Sequence, residues 1–193
     1  PDKGITALSH KRKFGESILN QGARGNRVIT NDNNGLTNAD IIDGFTIGGS
    51  FANIASEGGG IYNKNSSPSI VNCIITDNSL FPFPYYINKT YGGGLYNDNS
   101  SPVLINCIIK NNKVGVDGNQ ASNSSYYGYG SALYNVNNSN PKLYNCTIKD
   151  NYSISGNNGD APAIVNVGSS TTSLYNSIYM NNNKGTSSGI VSY

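Results

Sequence analysis

The sequence predicts an all-β chain wound as a right-handed parallel β-helix, and three observations carry that expectation. First, the block GGGIYNKNSSPSIVNCII at 58–75 returns as GGGLYNDNSSPVLINCII at 92–109. It comes back as GSALYNVNNSNPKLYNCTI at 130–148 and, worn down, as PAIVNVGSSTTSLYNSIYM at 162–180. Recurrence at this period signals stacked supersecondary units. Second, each unit holds only short β-type runs, such as IYN, SIV and CII, joined by Gly, Asn, Ser and Pro. No helical period joins them. Third, asparagines fall in aligned columns, as counted below.

Composition narrows the function classes. The chain has 193 residues, enough for one domain with a real core. Charged residues are 12%, about half the usual quarter. Asparagine, serine and glycine fill the gap, with 32 asparagines. Regular recurrence of Ile, Leu, Val and Tyr argues against disorder. A net charge of +2 gives no strong pull toward nucleic acid. No apolar run reaches membrane-span length. Neither a nucleic-acid partner nor membrane insertion is therefore expected. The start at Pro1, without a methionine, fits a processed chain whose leader has gone.

Residues 1–35 do not fit the repeat and read as an irregular N-terminal cap or partial first coil. Leu8, Phe14, Ile18, Leu19, Val28 and Ile29 supply its apolar positions. Lys3, Lys11, Arg12, Lys13, Arg24 and Arg27 cluster here, beside His10, the only histidine. A polar cap over an exposed solenoid end explains them. Residues 36–193 form the repeats, within a single domain overall. IIDGFTI at 41–47 aligns with SIVNCII at 69–75, so Gly44 stands where Asn72 does. Gly and Asn are the residues that best tolerate a left-handed backbone.

The register follows by counting. Phe45, Cys73, Cys107, Cys146 and Ser177 share one position, at intervals of 28, 34, 39 and 31. One residue earlier stand Gly44, Asn72, Asn106, Asn145 and Asn176; five residues later stand Ser50, Asn78, Asn112, Asn151 and Asn182. A third column is Asn63, Asn97, Asn135 and Asn166. These three columns are expected to form hydrogen-bonded ladders between coils. Each coil should lay three short strands on three sheets, about 4.8 Å above the last. Some five coils result, with an open C-terminal end, because Gly189–Val191 aligns with Gly94–Tyr96 and the chain stops there.

The inward set is then fixed. Ile61, Leu95, Leu133 and Ile164 form one column, and Ile70, Leu104, Leu143 and Leu174 a second. The cysteine column lies beside Ile47, Ile75, Ile109 and Ile148. The parity between the Leu and Cys positions requires a left-handed bend at the intervening Asn. The cysteines read as core thiols: they form no CxxC pair, and their odd count gives no complete disulfide framework. No metal or cofactor is implied.

Insertions fall after the third strand, at 79–91, 113–129 and 152–161, on what should be one edge of the solenoid. Two are rich in aromatics. Phe81, Phe83, Tyr85, Tyr86, Tyr91, Tyr126, Tyr127 and Tyr129, with the outward column Tyr62, Tyr96 and Tyr134, make a candidate binding or assembly surface. Tyr gives rigid amphipathic contact area at low entropic cost. Tyr144 and Tyr175 continue a second outward column from Val71 and Ile105.

The GGGIYN…SSP…NC and GGGLYN…SSP…NC units, with DIIDGFTI before them, resemble bacterial secreted or surface-anchored right-handed β-helix repeat proteins of the polymorphic outer-membrane type. The resemblance covers about residues 36–193. It implies a surface or extracellular location and an adhesive or structural role. The last copy departs from the pattern by lacking the cysteine.

Pectate lyases and polygalacturonases share this fold, so glycan cleavage is a third possible function. A hydrolase needs paired carboxylates. Here Asp43, Asp77, Asp98, Asp117, Asp150 and Asp160 are scattered, and no Arg follows residue 27. Threonines are too sparse for an ice-binding array. The expected function is a non-enzymatic extracellular structural protein, a fibre or filament subunit or an adhesin segment. Its partners would be further copies of itself, stacked end to end, or a cell-surface glycan or protein. A carbohydrate-binding surface module is the alternative, and a pectate-lyase-like enzyme comes third.

Overall fold

A computed structural model describes residues 7–8, 17–20, 27–52, 57–81, 89–115, 127–153, 161–182 and 190–192. Among them the only regular elements are strands, and every pairing is parallel. Three six-stranded sheets run the length of the molecule. The first stacks Ala7–Leu8, Ile41–Asp43, Ser69–Val71, Val103–Ile105, Lys142–Tyr144 and Ser173–Tyr175. The second stacks Ser17–Asn20, Phe45–Gly48, Ile74–Thr76, Ile108–Lys110, Thr147–Lys149 and Ile178–Met180. The third stacks Ile29–Asp32, Ile61–Lys64, Leu95–Asp98, Leu133–Val136, Ile164–Asn166 and Ile190–Ser192. The chain visits the sheets in turn and returns one level up, which is a parallel β-helix.

Two features add to the three-sheet expectation. A fourth sheet stacks Phe51–Ala52, Ser79–Leu80, Lys113–Val114 and Tyr152–Ser153. The insertions thus leave the coil only after a fourth strand. These strands are two residues long, too short to show a period of two in sequence. A two-stranded sheet then pairs Lys89–Tyr91 with Tyr127–Tyr129 where the insertions rejoin the coil. The sixth level of each long sheet comes from strands within 7–32, which pair directly with the first full coil.

Coil corners are made by left-handed residues. Between the first two sheets Gly44, Asn72, Asn106, Asn145 and Asn176 have φ of 79°, 50°, 53°, 52° and 46°. The side chains on either side therefore both face inward, and Leu104 and Cys107 are both buried. After the second sheet the same job falls to Gly49, Asp77, Asn111, Asp150 and Asn181. Short polar side chains tolerate this region by bonding locally. The aspartates at 77 and 150 are thus bend residues. After the third sheet Asn33, Asn65, Asn99 and Asn137 do likewise.

The core is the set of inward columns. Ile61, Leu95, Leu133 and Ile164 pair in register, as do Ile70, Leu104 and Leu143 and Ile75, Ile109 and Ile148. All are buried together with Cys73, Cys107 and Cys146. Each aliphatic side chain contributes roughly 1.5–3 kcal/mol by leaving water. Leu174 packs against this core at its edge.

Candidate functional site

Two buried asparagine ladders tie the coils together. On the third sheet Nδ2 donates to the next Oδ1 from Asn31 to Asn63 at 2.8 Å, from Asn63 to Asn97 at 2.9 Å, from Asn97 to Asn135 at 2.8 Å and from Asn135 to Asn166 at 2.8 Å. After the second sheet the ladder runs Asn78, Asn112, Asn151, Asn182 at 2.9, 2.9 and 2.8 Å. Here each Nδ2 also reaches a backbone carbonyl of the preceding coil, as from Asn112 to Ile75 at 3.0 Å. The column at the first corner is different. Asn72 donates to Asp43, Asn106 to Asn72 and Asn176 to Asn145. Asn106, Asn145 and Asn176 are exposed. This column's main task is the bend.

The outward Tyr column sits on the same strands as the first ladder. In Ile61–Lys64 and Leu95–Asp98 the aliphatic residue (Ile61 or Leu95) and Asn point in, while Tyr and the charged residue point out. Strand alternation alone produces this. Tyr62 and Tyr96 stack with ring centroids 5.4 Å apart and planes within 2°; Tyr96 and Tyr134 follow at 5.6 Å and 4°. The ends of the stack are closed. The Arg27 guanidinium lies 4.1 Å from the Tyr62 ring centroid. Tyr91 leans on Tyr134 at 4.7 Å and 50°. Tyr91 in turn stacks on Tyr129, and Tyr129 on Tyr127.

The structure therefore joins six of the candidate residues, Tyr62, Tyr91, Tyr96, Tyr127, Tyr129 and Tyr134, into one continuous aromatic cluster. Phe81 lies apart, against Phe51 at 4.9 Å. Tyr144 and Tyr175 stack separately, at 4.6 Å on the first sheet. Phe83, Tyr85, Tyr86 and Tyr126 lie outside the described residues.

Arg27, expected only as part of a polar cap, and Glu57 join the site through tertiary placement. Arg27 Nε donates to the Glu57 carbonyl at 2.6 Å, and its guanidinium meets the Glu57 carboxylate at 3.5 Å. A signal was present: Glu57, Tyr91 and Tyr129 each precede the first glycine of the repeat, and Glu57 bridges Tyr91.

Burial dominates the ionisation of most of these groups. Burial first, then Asp32, raises the Tyr62 phenol. Burial, then Tyr91 and Tyr129, pushes Tyr134 up to about 12. Tyr96 is raised for the same leading reason. Burial lifts the Cys73 thiol to about 11. Cys107 and Cys146 are free thiols that share a hydrogen bond, which lowers Cys146 and, with burial, raises Cys107. Thiols held this high are core residues and poor nucleophiles. Among the described residues no group of three or more His, Cys, Asp or Glu side chains could hold a metal ion. What the surface can do is present ring edges, hydroxyls and a row of charges on a stiff support. Comparison with protein-family profiles, with curated proteins and with solved structures finds no match to this chain.

Proposed function

We propose that the chain is a non-enzymatic structural protein of the cell exterior, a β-solenoid that serves as a fibre subunit or as the rod of an adhesin. The observation that carries this reading is the unbroken register. Ile29, Ile61, Leu95, Leu133, Ile164 and Ile190 pair one to the next through every level. Groups that could have served chemistry are used on the neighbouring coil: amides in ladders, ring faces in stacks, the Arg27 guanidinium on Tyr62. The GGxxYN…NC pattern supports a bacterial surface protein of the polymorphic outer-membrane type.

End-to-end assembly has its own support. Among the described residues, Ala7–Leu8, Ser17–Asn20 and Ile29–Asp32 at one end have a strand neighbour on one side only. So do Ser173–Tyr175, Ile178–Met180 and Ile190–Ser192 at the other. Ile18, Tyr175, Ile178 and Met180, exposed apolar side chains, lie on these outermost strands. Sheet edges of this kind accept further strands, and a head-to-tail contact that does not close makes filaments.

The test is electron microscopy of the purified chain over a range of concentrations. Filaments that lengthen with concentration, with an axial repeat near the rod length, support the fibre subunit. Single short rods at every concentration remove that form and leave the adhesin rod. Immobilised rods that then retain neither cells nor glycans would remove the adhesin as well.

A further inference from the structure

The stacked tyrosines change what the outer face of the third sheet can recognise. A sugar ring packs on an open aromatic face. Here the faces of Tyr62, Tyr96 and Tyr134 are turned to one another, to Arg27 and to Tyr91. What remains open is a row of ring edges and hydroxyls along the rod.

A second outward row runs beside it, two residues further along each strand. In register it reads Asp32, Lys64, Asp98 and Val136. Positions two apart on a strand are separated by roughly 6.6 Å. A straight groove thus lies between the rows, with one wall of tyrosine edges and one wall of charge. Its Tyr wall covers two coil rises, about 10 Å. Flanking levels continue it past Thr30 and Val165. Tyr91 closes the row at Tyr134, and Arg27 closes it at Tyr62.

The groove also has a sign. Arg27 and Glu57 pair with each other at 3.5 Å. That leaves Asp32 and Asp98, whose Oδ1 atoms accept the Asn33 and Asn137 amides at 2.6 Å, against Lys64. Asp32, Glu57 and Asp98 all act to raise the Tyr62 phenol, and only Arg27 opposes them. The electropositive rims of the phenol rings favour the π face of a flat guest. The carboxylates favour a positive charge on it. We propose that the groove beside the Tyr62–Tyr96–Tyr134 row binds elongated, flat, cationic aromatic molecules, laid along the rod axis.

The probe is thioflavin T, a benzothiazolium cation, titrated into the full chain at concentrations where sedimentation shows single rods. A saturable fluorescence rise near one dye per rod is expected. Tyr96→Phe keeps the ring edge and should keep binding. Tyr96→Ser opens the row and should abolish it. Asp98→Lys also removes the acceptor of the Asn137 amide, and it should weaken binding about tenfold or more by reversing one wall charge. The anionic dye Congo red should bind wild-type rods more weakly than Asp98→Lys rods. The proposal is overturned if single rods give no signal, if the signal appears only when rods associate, or if Asp98→Lys binds thioflavin T as wild type does. Circular dichroism of each variant separates lost binding from lost fold, and a Tyr96→Ser that unfolds leaves the decision to Asp98→Lys.

Discussion

Asn112 Nδ2 donates to Asn151 Oδ1 at 2.9 Å, and the same oxygen takes the backbone N–H of Asn112 at 3.1 Å. One amide oxygen thus receives both a side chain and a backbone from the coil below. Asn112 also serves Asn78 in the same two ways, at 2.9 and 3.2 Å. The residue is buried, so none of these partners has water to fall back on.

Replacing Asn112 with Leu should therefore be severe. It strands the Asn78 backbone N–H, removes one partner of the Asn78 amide and takes the side-chain donor from both the Asn151 oxygen and the Ile75 carbonyl, while the backbone N–H of residue 112 still reaches the Asn151 oxygen. With roughly 1–3 kcal/mol per unsatisfied buried group, the loss should be about 3 kcal/mol or more. Thermal unfolding followed by circular dichroism measures it. A midpoint within a degree or two of wild type would refute the ladder's role.

Asn106 should behave differently. It is exposed, its Nδ2 bond to Asn72 is 3.3 Å long, and its φ is 53°. Asn106→Leu should cost about 1–2 kcal/mol through the bend alone. Asn106→Gly should fall within about 0.5 kcal/mol of wild type, because glycine adopts this region freely. If both variants lose equally, the side-chain bond rather than the backbone is what matters there.

A third substitution tests the space under the ladder. A Cβ on Gly94 would stand 2.6 Å from the Ala132 carbonyl and 3.2 Å from Asn112 Nδ2. Small residues recur at this register position as Gly60, Gly94, Ala132 and Ala163, each just before the inward Ile or Leu. In the first coil Val28 takes the position, and there Ser50 replaces the ladder asparagine. Gly94→Val should cost roughly 1–3 kcal/mol or more by overpacking. In the matching double variant, Gly94→Val with Asn112→Ser, the loss should be smaller than the sum of the two single losses, because the contact with Asn112 Nδ2 is counted in both. Denaturant unfolding of the three proteins reads the coupling.

Stability should also fall in base. The Cys73 thiol ionises near 9 when unfolded and at about 11 in the fold. Below pH 9 both states hold the proton, and the full contribution is present. Between pH 9 and 11 the unfolded chain releases it first, so stability declines by about 2–3 kcal/mol over that window. Tyr134, shifted from 10 to about 12, extends the decline to higher pH. Cys73→Ala should flatten the pH 9–11 part of the profile. All three thiols are buried, and that lack of access should make them resist alkylation at neutral pH until the chain is unfolded.

Much of this was legible because the repeat is its own alignment. The columns at Cys73, Asn72, Asn78 and Asn63 fixed register without any structure, since in-register parallel strands must place equal positions above one another. The left-handed corner at Asn106 followed from a parity conflict. The fourth sheet was not legible, because Ser79–Leu80 and its companions are too short to carry a pattern. Nor was the closure of the Tyr stack: Arg27 lies outside the repeat, and its contact with Tyr62 is set by tertiary placement. The candidate surface was legible as the outward column Tyr62, Tyr96 and Tyr134 with eight aromatics from the insertions. Its decisive property, that ring faces are turned to one another, needed angles that a sequence does not hold.

The buried ladder past the second sheet has a consequence of its own. From Asn78 to Asn182 every amide points the same way, donor below and acceptor above, held so by backbone carbonyls at Ile47, Ile75, Ile109 and Ile148. The solvent-exposed asparagines run in the opposite sense, from Asn99 to Asn65 and from Asn65 to Asn33, but water screens them. Any cut between two coils then leaves amide donors on one face and amide acceptors on the other. The rod is a vector: two faces so produced fit head to tail and mismatch head to head, so a fibre built from them would have two unlike tips and a preferred direction of growth.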